Sequence, residues 1–170
     1  MIEHVVRSLK RCPIDALLVV LGHRHEEIEP VLAPLDVHIV LNPDYARGML
    51  SSVQAGVTAA PPETAWFLIH PVDHPHVDAE VVRRLLAAAR AGQGSIVVPS
   101  YQRRRGHPLL LSARYRDEIA TLSPEVGLRE LLRHHPEEVT HLEVDTDAVL
   151  RDMDTPDDYR RERPQFDDRA

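Results

Sequence analysis

Short runs of consecutive apolar residues alternate with helical patterns through the first hundred positions of the chain. The runs are continuous rather than alternating, which predicts β-strands of a sheet that is covered on both faces. They occupy residues 16–21, 37–41, 65–69 and 95–98. The segments between them carry apolar residues at helical spacing. They predict helices over residues 2–11, 25–32, 51–60 and 78–90.

The pattern changes after residue 100. It predicts an antiparallel strand at 107–111, helices near 113–121 and 126–134, and a last strand at 140–144. The alternation of strands and helices favours an α/β fold with a mostly parallel, three-layer sheet in one domain. We assign this domain to residues 1–160 and expect the charged tail 161–170 to be disordered.

The first predicted element is a helix, whereas a sheet of this kind ordinarily begins with a central strand whose following loop binds phosphate. The expected sheet therefore contains a gap beside its central strands. The strand edge exposed at such a gap predicts poor solubility or self-association.

Composition and net charge exclude some classes of molecule as binding partners of this protein. The net charge of −7 argues against nucleic acids and anionic membrane surfaces. Cys12 is the single cysteine, so neither an intrachain disulfide nor a thiolate metal site is expected, and a reducing cytoplasm suits that count. Neither an apolar run of about 18 residues nor a secretory signal is present. We therefore expect a soluble, cytoplasmic protein.

Segment 42–56 joins a predicted strand to a predicted helix, which is where open α/β sheets bind ligands. Gly48 allows a close approach of the backbone to a ligand. Ser51 and Ser52 place hydroxyl and N–H groups at a helix N-terminus, where an anion can bind. A purely structural interpretation stays open, in which one serine caps the helix and Gly48 makes a turn.

Asp73 follows the strand predicted at 65–69, and a carboxylate at the end of a buried strand is well placed to bind Mg²⁺. The alternative is that Asp73 caps the next helix, a role that Asp78 fills better. His70, His74 and His76 lie nearby, but Pro71 and Pro75 prevent a helical display of zinc ligands, so we expect these to be surface or loop residues without a zinc site.

Two further segments carry charged groups. Thr155 and Pro156 predict a helix start, with Thr155 as the N-cap, which leaves Asp152 and Asp154 without a structural role and open to metal binding. The three arginines at 103–105 precede a strand, and either bind a phosphorylated substrate or form a solvated turn.

Four short motifs in order give the chain a family resemblance. They are GMLSSVQAG at 48–56, PVDHP at 71–75, RRGHP at 104–108 and DMDTPDDY at 152–159. Over residues 1–160 this series resembles the MobA-like nucleotidyltransferases, most closely their molybdenum-cofactor cytidylyltransferase-like branch. The resemblance implies a three-layer, Rossmann-like sheet of the nucleotide-diphospho-sugar transferase type. It also implies Mg²⁺-dependent transfer of a nucleotidyl group, with CTP favoured as the donor, to a phosphorylated acceptor such as molybdopterin.

The resemblance also implies roles for individual residues. Asp73 and Asp154 match the two metal-binding, catalytic positions. The nucleotide-binding positions fall on Asn42, Gly48, Met49, Ser51, Ser52 and Gly56. The acceptor-binding positions fall on His74, Arg105, Gly106 and His107. His74 stands where the family often has glutamine, which leaves the acceptor preference open.

One family motif has no counterpart among the 170 residues, the glycine-rich loop L-A-A-G-x-S-x-R-M-G that grips the triphosphate. Three explanations stay open: a start site further upstream, a degenerate homologue, or a second polypeptide that supplies the loop. We expect weak or absent catalysis from these residues alone. The alternative functions are a non-catalytic module that binds a nucleotide, a pterin or a molybdoenzyme-maturation partner, and a sugar-1-phosphate nucleotidyltransferase.

Overall fold

Strands and helices alternate along the chain much as the hydrophobic pattern predicts. The computed structural model describes residues 1–76, 79–123 and 125–162. The helices of these residues are α1 Ile2–Lys10, α2 His25–Leu32, α3 Met49–Ala59, α4 Ala79–Arg90, α5 Arg116–Thr121, α6 Arg129–His134 and α7 Pro156–Glu162. The strands are β1 Leu18–Leu21, β2 His38–Leu41, β3 Trp66–Ile69, β4 Ile96–Tyr101, β5 Arg104–Arg105, β6 Leu109–Ser112 and β7 Val139–Glu143.

The larger sheet is built around β4. Its order is β3–β6–β4–β5, and β7 pairs in parallel with β4. β6 runs antiparallel to both β3 and β4, as the sequence predicted. Ile96, Val97 and Val98 of β4 are fully buried because helices cover both faces of the sheet. The α/β, three-layer architecture is therefore confirmed.

β1 and β2 form a separate parallel pair. Within the described residues no hydrogen bonds join β1 to β3, so each has one free edge. Helices span the interruption: α3 packs on β1 and β2 and, through Val53 and Val57, on Phe67 of β3. On the opposite face, α1 contributes Val5 to the cluster around the larger sheet and Val6 to the cluster around β1. The sheet thus has the expected interruption, whereas self-association at its edges stays a prediction.

Three local predictions were wrong. α3 begins at Met49 with Gly48 as its N-cap, two residues before the predicted start. β4 continues through Pro99 to Tyr101, because the Pro99 carbonyl still accepts a hydrogen bond from the Gly106 N–H at 2.8 Å. The arginine segment is not a simple turn, since Arg104–Arg105 forms β5 and pairs with β4.

The C-terminal segment contains a helix with the predicted cap. The Thr155 hydroxyl accepts from the Asp158 N–H at 3.2 Å, and the Asp158 carboxylate accepts from the Thr155 N–H at 3.0 Å, a reciprocal capping box. α7 continues to Glu162, so the boundary placed at residue 160 was too early. Residues 163–170 and the predicted cap Asp78 lie outside the described residues. None of the helices described is long and apolar enough to cross a membrane.

Candidate active site

Three of the four sequence motifs meet at the loop that follows β3. The Met153 N–H donates to the Asp73 carbonyl at 2.8 Å, which brings the C-terminal motif against this loop. The rings of His74 and His107 lie 4.7 Å apart, which brings the β5–β6 connection against it as well. Segments more than 30 residues apart in sequence therefore form one site.

The Asp73 carboxylate is the most unusual group of this site. Its Oδ1 atom is buried and has no hydrogen-bond partner in the described part of the chain. A buried carboxylate oxygen is costly to desolvate, so one without a partner suits a cation. Asp154 follows Met153 directly and is exposed, so its backbone is close to Asp73 and its carboxylate is a candidate for a second cation ligand.

The carboxylates of Asp73 and Asp154 suit a hard divalent cation whose remaining coordination positions are filled by water and a bound substrate. Nowhere in residues 1–76, 79–123 and 125–162 do three or more His, Cys, Asp or Glu side chains converge as a metal cage. Mg²⁺ ordinarily takes one or two carboxylates and completes its shell with water and substrate phosphates. Asp73 and Asp154 would hold such an ion.

Three imidazoles, His70, His74 and His107, belong to this site, and the pKa values of two of them are lowered. Burial lowers the pKa of His70 from 6.5 to about 4, with further lowering by His74 and His107 and partial opposition from a hydrogen bond to the His74 backbone. Burial and His74 also lower the pKa of His107, against the opposing effect of Asp73. The Nδ1 atoms of all three rings are buried without a hydrogen-bond partner. These residues lie in loops, as expected, but His74 is buried rather than at the surface.

Gly106 allows the close packing of two of these segments. A Cβ atom on Gly106 would lie 2.3 Å from the Val149 carbonyl oxygen, a backbone atom that has little freedom to move. The neighbouring His107 N–H donates to that same oxygen at 2.8 Å. Gly106 therefore has a structural role that places His107 against the loop after β3, in addition to the acceptor-side role predicted for it.

Gly106→Ala is expected to lower the free energy of unfolding by about 2 kcal/mol, because the overpacked backbone must shift. Urea denaturation measures this loss. Gly127→Ala is the control, since its Cβ would enter open space and only its positive φ of 73° opposes the substitution, at about 1 kcal/mol. Equal losses in the two variants would contradict the packing argument.

The arginine segment lies at the margin of the site. Arg104 and Arg105 are exposed on β5. The Arg105 guanidinium reaches His141 on β7, with 3.4 Å between Nη2 and Nε2. Arg103 has a positive φ of 65°, as expected in a tight connection between antiparallel strands. These guanidinium groups can meet an anion that extends outward from the site.

The predicted nucleotide-binding segment is organised by Asn42. This buried residue follows β2, and its side-chain amide donates to the hydroxyl oxygens of Ser51 at 2.9 Å and Ser52 at 3.0 Å. Gly48 has a φ of 103°, a conformation that favours glycine, and α3 begins immediately after it. Contrary to the capping interpretation, neither serine is the N-cap.

Ser51 and Ser52 differ in whether their hydroxyl protons are available to a ligand. The Ser51 hydroxyl accepts from Asn42 and donates to the carbonyls of Gly48 at 2.8 Å and Asp44 at 3.0 Å, so its only proton is engaged. The Ser52 hydroxyl accepts from Asn42 and keeps its proton available. Ser52 therefore suits ligand binding, whereas Ser51 fixes the start of α3.

Ser52→Ala is expected to weaken nucleotide binding about fivefold to tenfold, the value of one lost hydrogen bond. It should lower the free energy of unfolding less than Ser51→Ala, because Ser52 loses one hydrogen bond and Ser51 loses three. Ser51→Ala should lower the free energy of unfolding by about 1 kcal/mol. Calorimetric titration and urea denaturation of both variants separate the two effects. Identical behaviour of the two variants in both measurements would contradict the assignment.

The other two residues of this group differ in their surroundings. Met49 is 58% exposed. Gly56 lies further along α3, and a Cβ there would come within 3.1 Å of the Val20 side chain, so it packs against β1. In the described residues no hydrogen bond, ion pair or ring contact joins Asn42, Ser51 or Ser52 to Asp73. A ligand that contacts both groups would have to bridge them.

Sequence reasoning missed three contributors to the site. His70 was treated as an ordinary loop residue, although burial lowers its pKa to about 4. Met153 contributes through its backbone, for which no side-chain signal exists. Glu162 was assigned to the disordered tail, yet its carboxylate lies 3.3 Å from Nε2 of the buried His76.

Comparisons with known proteins show the family and the fold of the chain. Residues 1–139 match the model of the MobA-like NTP transferase domain. The molybdenum cofactor cytidylyltransferase of Escherichia coli (strain K12) is 28% identical over 159 residues, which cover 91% of this chain and 77% of that protein.

Two solved structures share the fold. One is a homolog of Mycobacterium tuberculosis Rv0371c from Mycobacterium sp. strain JC1, with a TM-score of 0.84 and 28% identity over 99% of this chain and 84% of that one. The other is Rv0371c of M. tuberculosis H37Rv in complex with manganese, with a TM-score of 0.80 and 25% identity over 94% and 83% of the two chains. The fold is that of the nucleotide-diphospho-sugar transferases, and the chain belongs to the MobA-like NTP transferase family.

Proposed function

We propose that this protein binds a nucleoside triphosphate, with CTP favoured, and transfers its nucleotidyl group to a phosphorylated acceptor such as molybdopterin. The observation that carries the proposal is the meeting of Asp73 and the Asp154 segment, joined by the hydrogen bond from the Met153 N–H to the Asp73 carbonyl. The name of the E. coli relative supports CTP and the molybdenum cofactor. The manganese complex of Rv0371c supports a divalent cation, for which we propose Mg²⁺.

The chemistry requires neutralisation of phosphate charge. An acceptor phosphate oxygen forms a bond to the α-phosphorus of the triphosphate, the bond to the β-phosphate oxygen breaks, and pyrophosphate leaves with the electron pair. A divalent cation, when bound, offsets the negative charge of the transferring phosphate. Asp73 and Asp154 hold that cation, Ser52 and the N–H groups at the start of α3 bind the nucleotide, and the enclosed loop after β3 limits water at Asp73.

The acceptor enters from the side of β5. Arg105 and its exposed neighbours attract a phosphorylated group. The lowered pKa of His107 favours its neutral form, so this ring, 4.7 Å from that of His74, can hydrogen-bond an acceptor without adding positive charge next to the cation site. A polar, pterin-like ring of the acceptor would suit the imidazole pair of His74 and His107. The phosphate of the acceptor would then be directed to the arginines. The compartment that we propose for this reaction is the cytoplasm.

Calorimetric titration with CTP, GTP and ATP, each with Mg²⁺, tests the proposal. We expect saturable binding of one nucleotide, with CTP the strongest, and pyrophosphate release when molybdopterin is added. Heat that appears equally with all three nucleotides would contradict the preference for CTP. Failure of every nucleotide to bind would contradict the proposed function as a whole.

The interrupted sheet favours a second candidate, binding without turnover. Ligands of α/β sheets lie at the carboxyl ends of the strands, and here β1 and β3 are not joined at that position within the described residues. A nucleotide could then bind at α3 while its triphosphate stays poorly held. Saturable binding without pyrophosphate release, in the presence of acceptor, distinguishes this module from the enzyme.

A further inference from the structure

In the described part of the chain, the ion pairs between α7 and other elements are made by Glu162. The helix has no buried residue, yet the Glu162 side chain at its end is only 14% exposed. Its Oε2 lies 3.3 Å from Nε2 of His76, whose side chain is 4% exposed, and 3.6 Å from Nη1 of Arg151. These are ion-pair distances without hydrogen-bond geometry, and the Arg151 guanidinium supplies the permanent positive charge. A carboxylate this deeply placed on an otherwise exposed helix requires a specific partner.

The other charges of α7 do not attach it to the body of the protein. Asp157 pairs with Arg160, and Asp158 pairs with Arg161 at 2.7 Å, so both ion pairs stay within the helix. Exposed pairs at this spacing contribute little to stability. Of the ion pairs in the described residues, those of Glu162 with His76 and Arg151 are the ones that join α7 to other elements.

Two contacts therefore hold the C-terminal segment against the loop after β3. The first is the hydrogen bond from the Met153 N–H to the Asp73 carbonyl, and the second is the ion pair of Glu162 with His76, three residues beyond Asp73. Asp154 lies between them. The capping box at Thr155 makes the intervening turn rigid.

We propose that Glu162 is a positioning residue that holds Asp154 beside Asp73 by anchoring α7 to His76 and Arg151. This inference rests on the proposed function, in which the two aspartates share a divalent cation. Without the anchor, the segment after Met153 is free to swing outward, and the cation loses its second carboxylate. Glu162 does not touch the cation, so it acts through Asp154 alone.

Titration of the full chain with Mn²⁺, followed by electron paramagnetic resonance of the free ion, tests this inference. Glu162→Gln should weaken Mn²⁺ binding about tenfold, in the range usual for residues that orient metal ligands. Asp157→Asn is the matched control, because it neutralises an acid of the same helix that pairs only within it, and should bind Mn²⁺ like the wild type. The midpoint of thermal unfolding should change little in either variant, because glutamine keeps the size of the Glu162 side chain and α7 contains no buried residue.

A double-variant comparison tests whether Glu162 and His76 act as a pair. His76→Gln combined with Glu162→Gln should weaken Mn²⁺ binding no more than Glu162→Gln alone, because the shared anchor is already lost. Amide hydrogen exchange within α7 should be faster in Glu162→Gln and unchanged in Asp157→Asn. These readouts report on the position of α7 without requiring turnover.

The outcomes separate the inference from the function on which it rests. Wild-type Mn²⁺ affinity in Glu162→Gln, together with loss of binding in Asp154→Asn, would overturn the role of Glu162 and leave the proposed cation site intact. Equal weakening in Glu162→Gln and Asp157→Asn would also overturn it, as a general charge effect. If the wild type binds no Mn²⁺ with or without CTP, the proposed cation site fails and the inference fails with it.

Discussion

Asp73→Asn is expected to remove divalent-cation binding and to lower any nucleotidyl transfer by about 100- to 1000-fold. The amide keeps the size of the side chain but lacks the negative charge that balances the cation. The buried Oδ1 atom has no partner from the protein, so nothing else in the described residues replaces that interaction. Mn²⁺ titration measures the first effect and pyrophosphate release the second.

The same substitution should leave the cation-free protein at least as stable as the wild type. A buried carboxylate oxygen without a partner destabilises the fold, and the neutral amide lowers that cost. Opposite effects on cation binding and stability are typical of functional groups held in unfavourable surroundings. Asp145→Asn is the control, because that side chain is fully exposed. Loss of stability in Asp73→Asn together with unchanged Mn²⁺ binding would indicate that Asp73 is a structural residue.

Acidification is expected to destabilise the protein through His70. Its pKa lies at about 4 in the folded chain against an ordinary value of 6.5. Between these values the unfolded chain binds a proton that the folded chain does not, so the free energy of unfolding falls as the pH falls from 6.5 to 4. The full difference corresponds to about 3 kcal/mol. His107, whose pKa is also lowered, adds a loss in the same direction.

Urea denaturation of the cation-free protein at several pH values between 7.5 and 4 measures this loss. His70→Gln should remove most of it, because glutamine does not titrate. Glu118 and Asp158 have lowered pKa values as well, but their stabilisation is lost at lower pH and equally in both proteins. His38→Gln, at an exposed position of β2, is the control. A pH dependence that is identical in wild type and His70→Gln would contradict the burial argument.

Most secondary structure could be predicted from the sequence because the strands of this fold are nearly all apolar. β1, β2 and β3 lie within their predicted runs, and α1 and α4 lie within their predicted helices. The cap at Thr155 was predictable because capping depends on residues close together in sequence. The start of α3 was not, because Gly48 supplies a positive φ two residues before the serines.

Candidate site residues could be predicted from the sequence, but the contacts between them could not. Asp73 was selected by its place after a buried strand, whereas the family resemblance selected Asp154 over Asp152, and the order of four motifs indicated the family that residues 1–139 match. Their assignment to cation binding stays a prediction. The hydrogen-bonding difference between Ser51 and Ser52 depends on the Gly48 and Asp44 carbonyls, which accept from Ser51, and on how the chain turns between β2 and α3.

By itself, the sequence determined the α/β class, the order of the elements and the family of this protein, because hydrophobic period and short motifs are local properties of a chain. Only the tertiary structure decided which oxygen of Asp73 lacks a partner, which imidazoles are neutral, and that Glu162 reaches His76. These properties depend on burial and on contacts between residues far apart in sequence. Desolvation and pairing of charge arise only when the chain has folded around them.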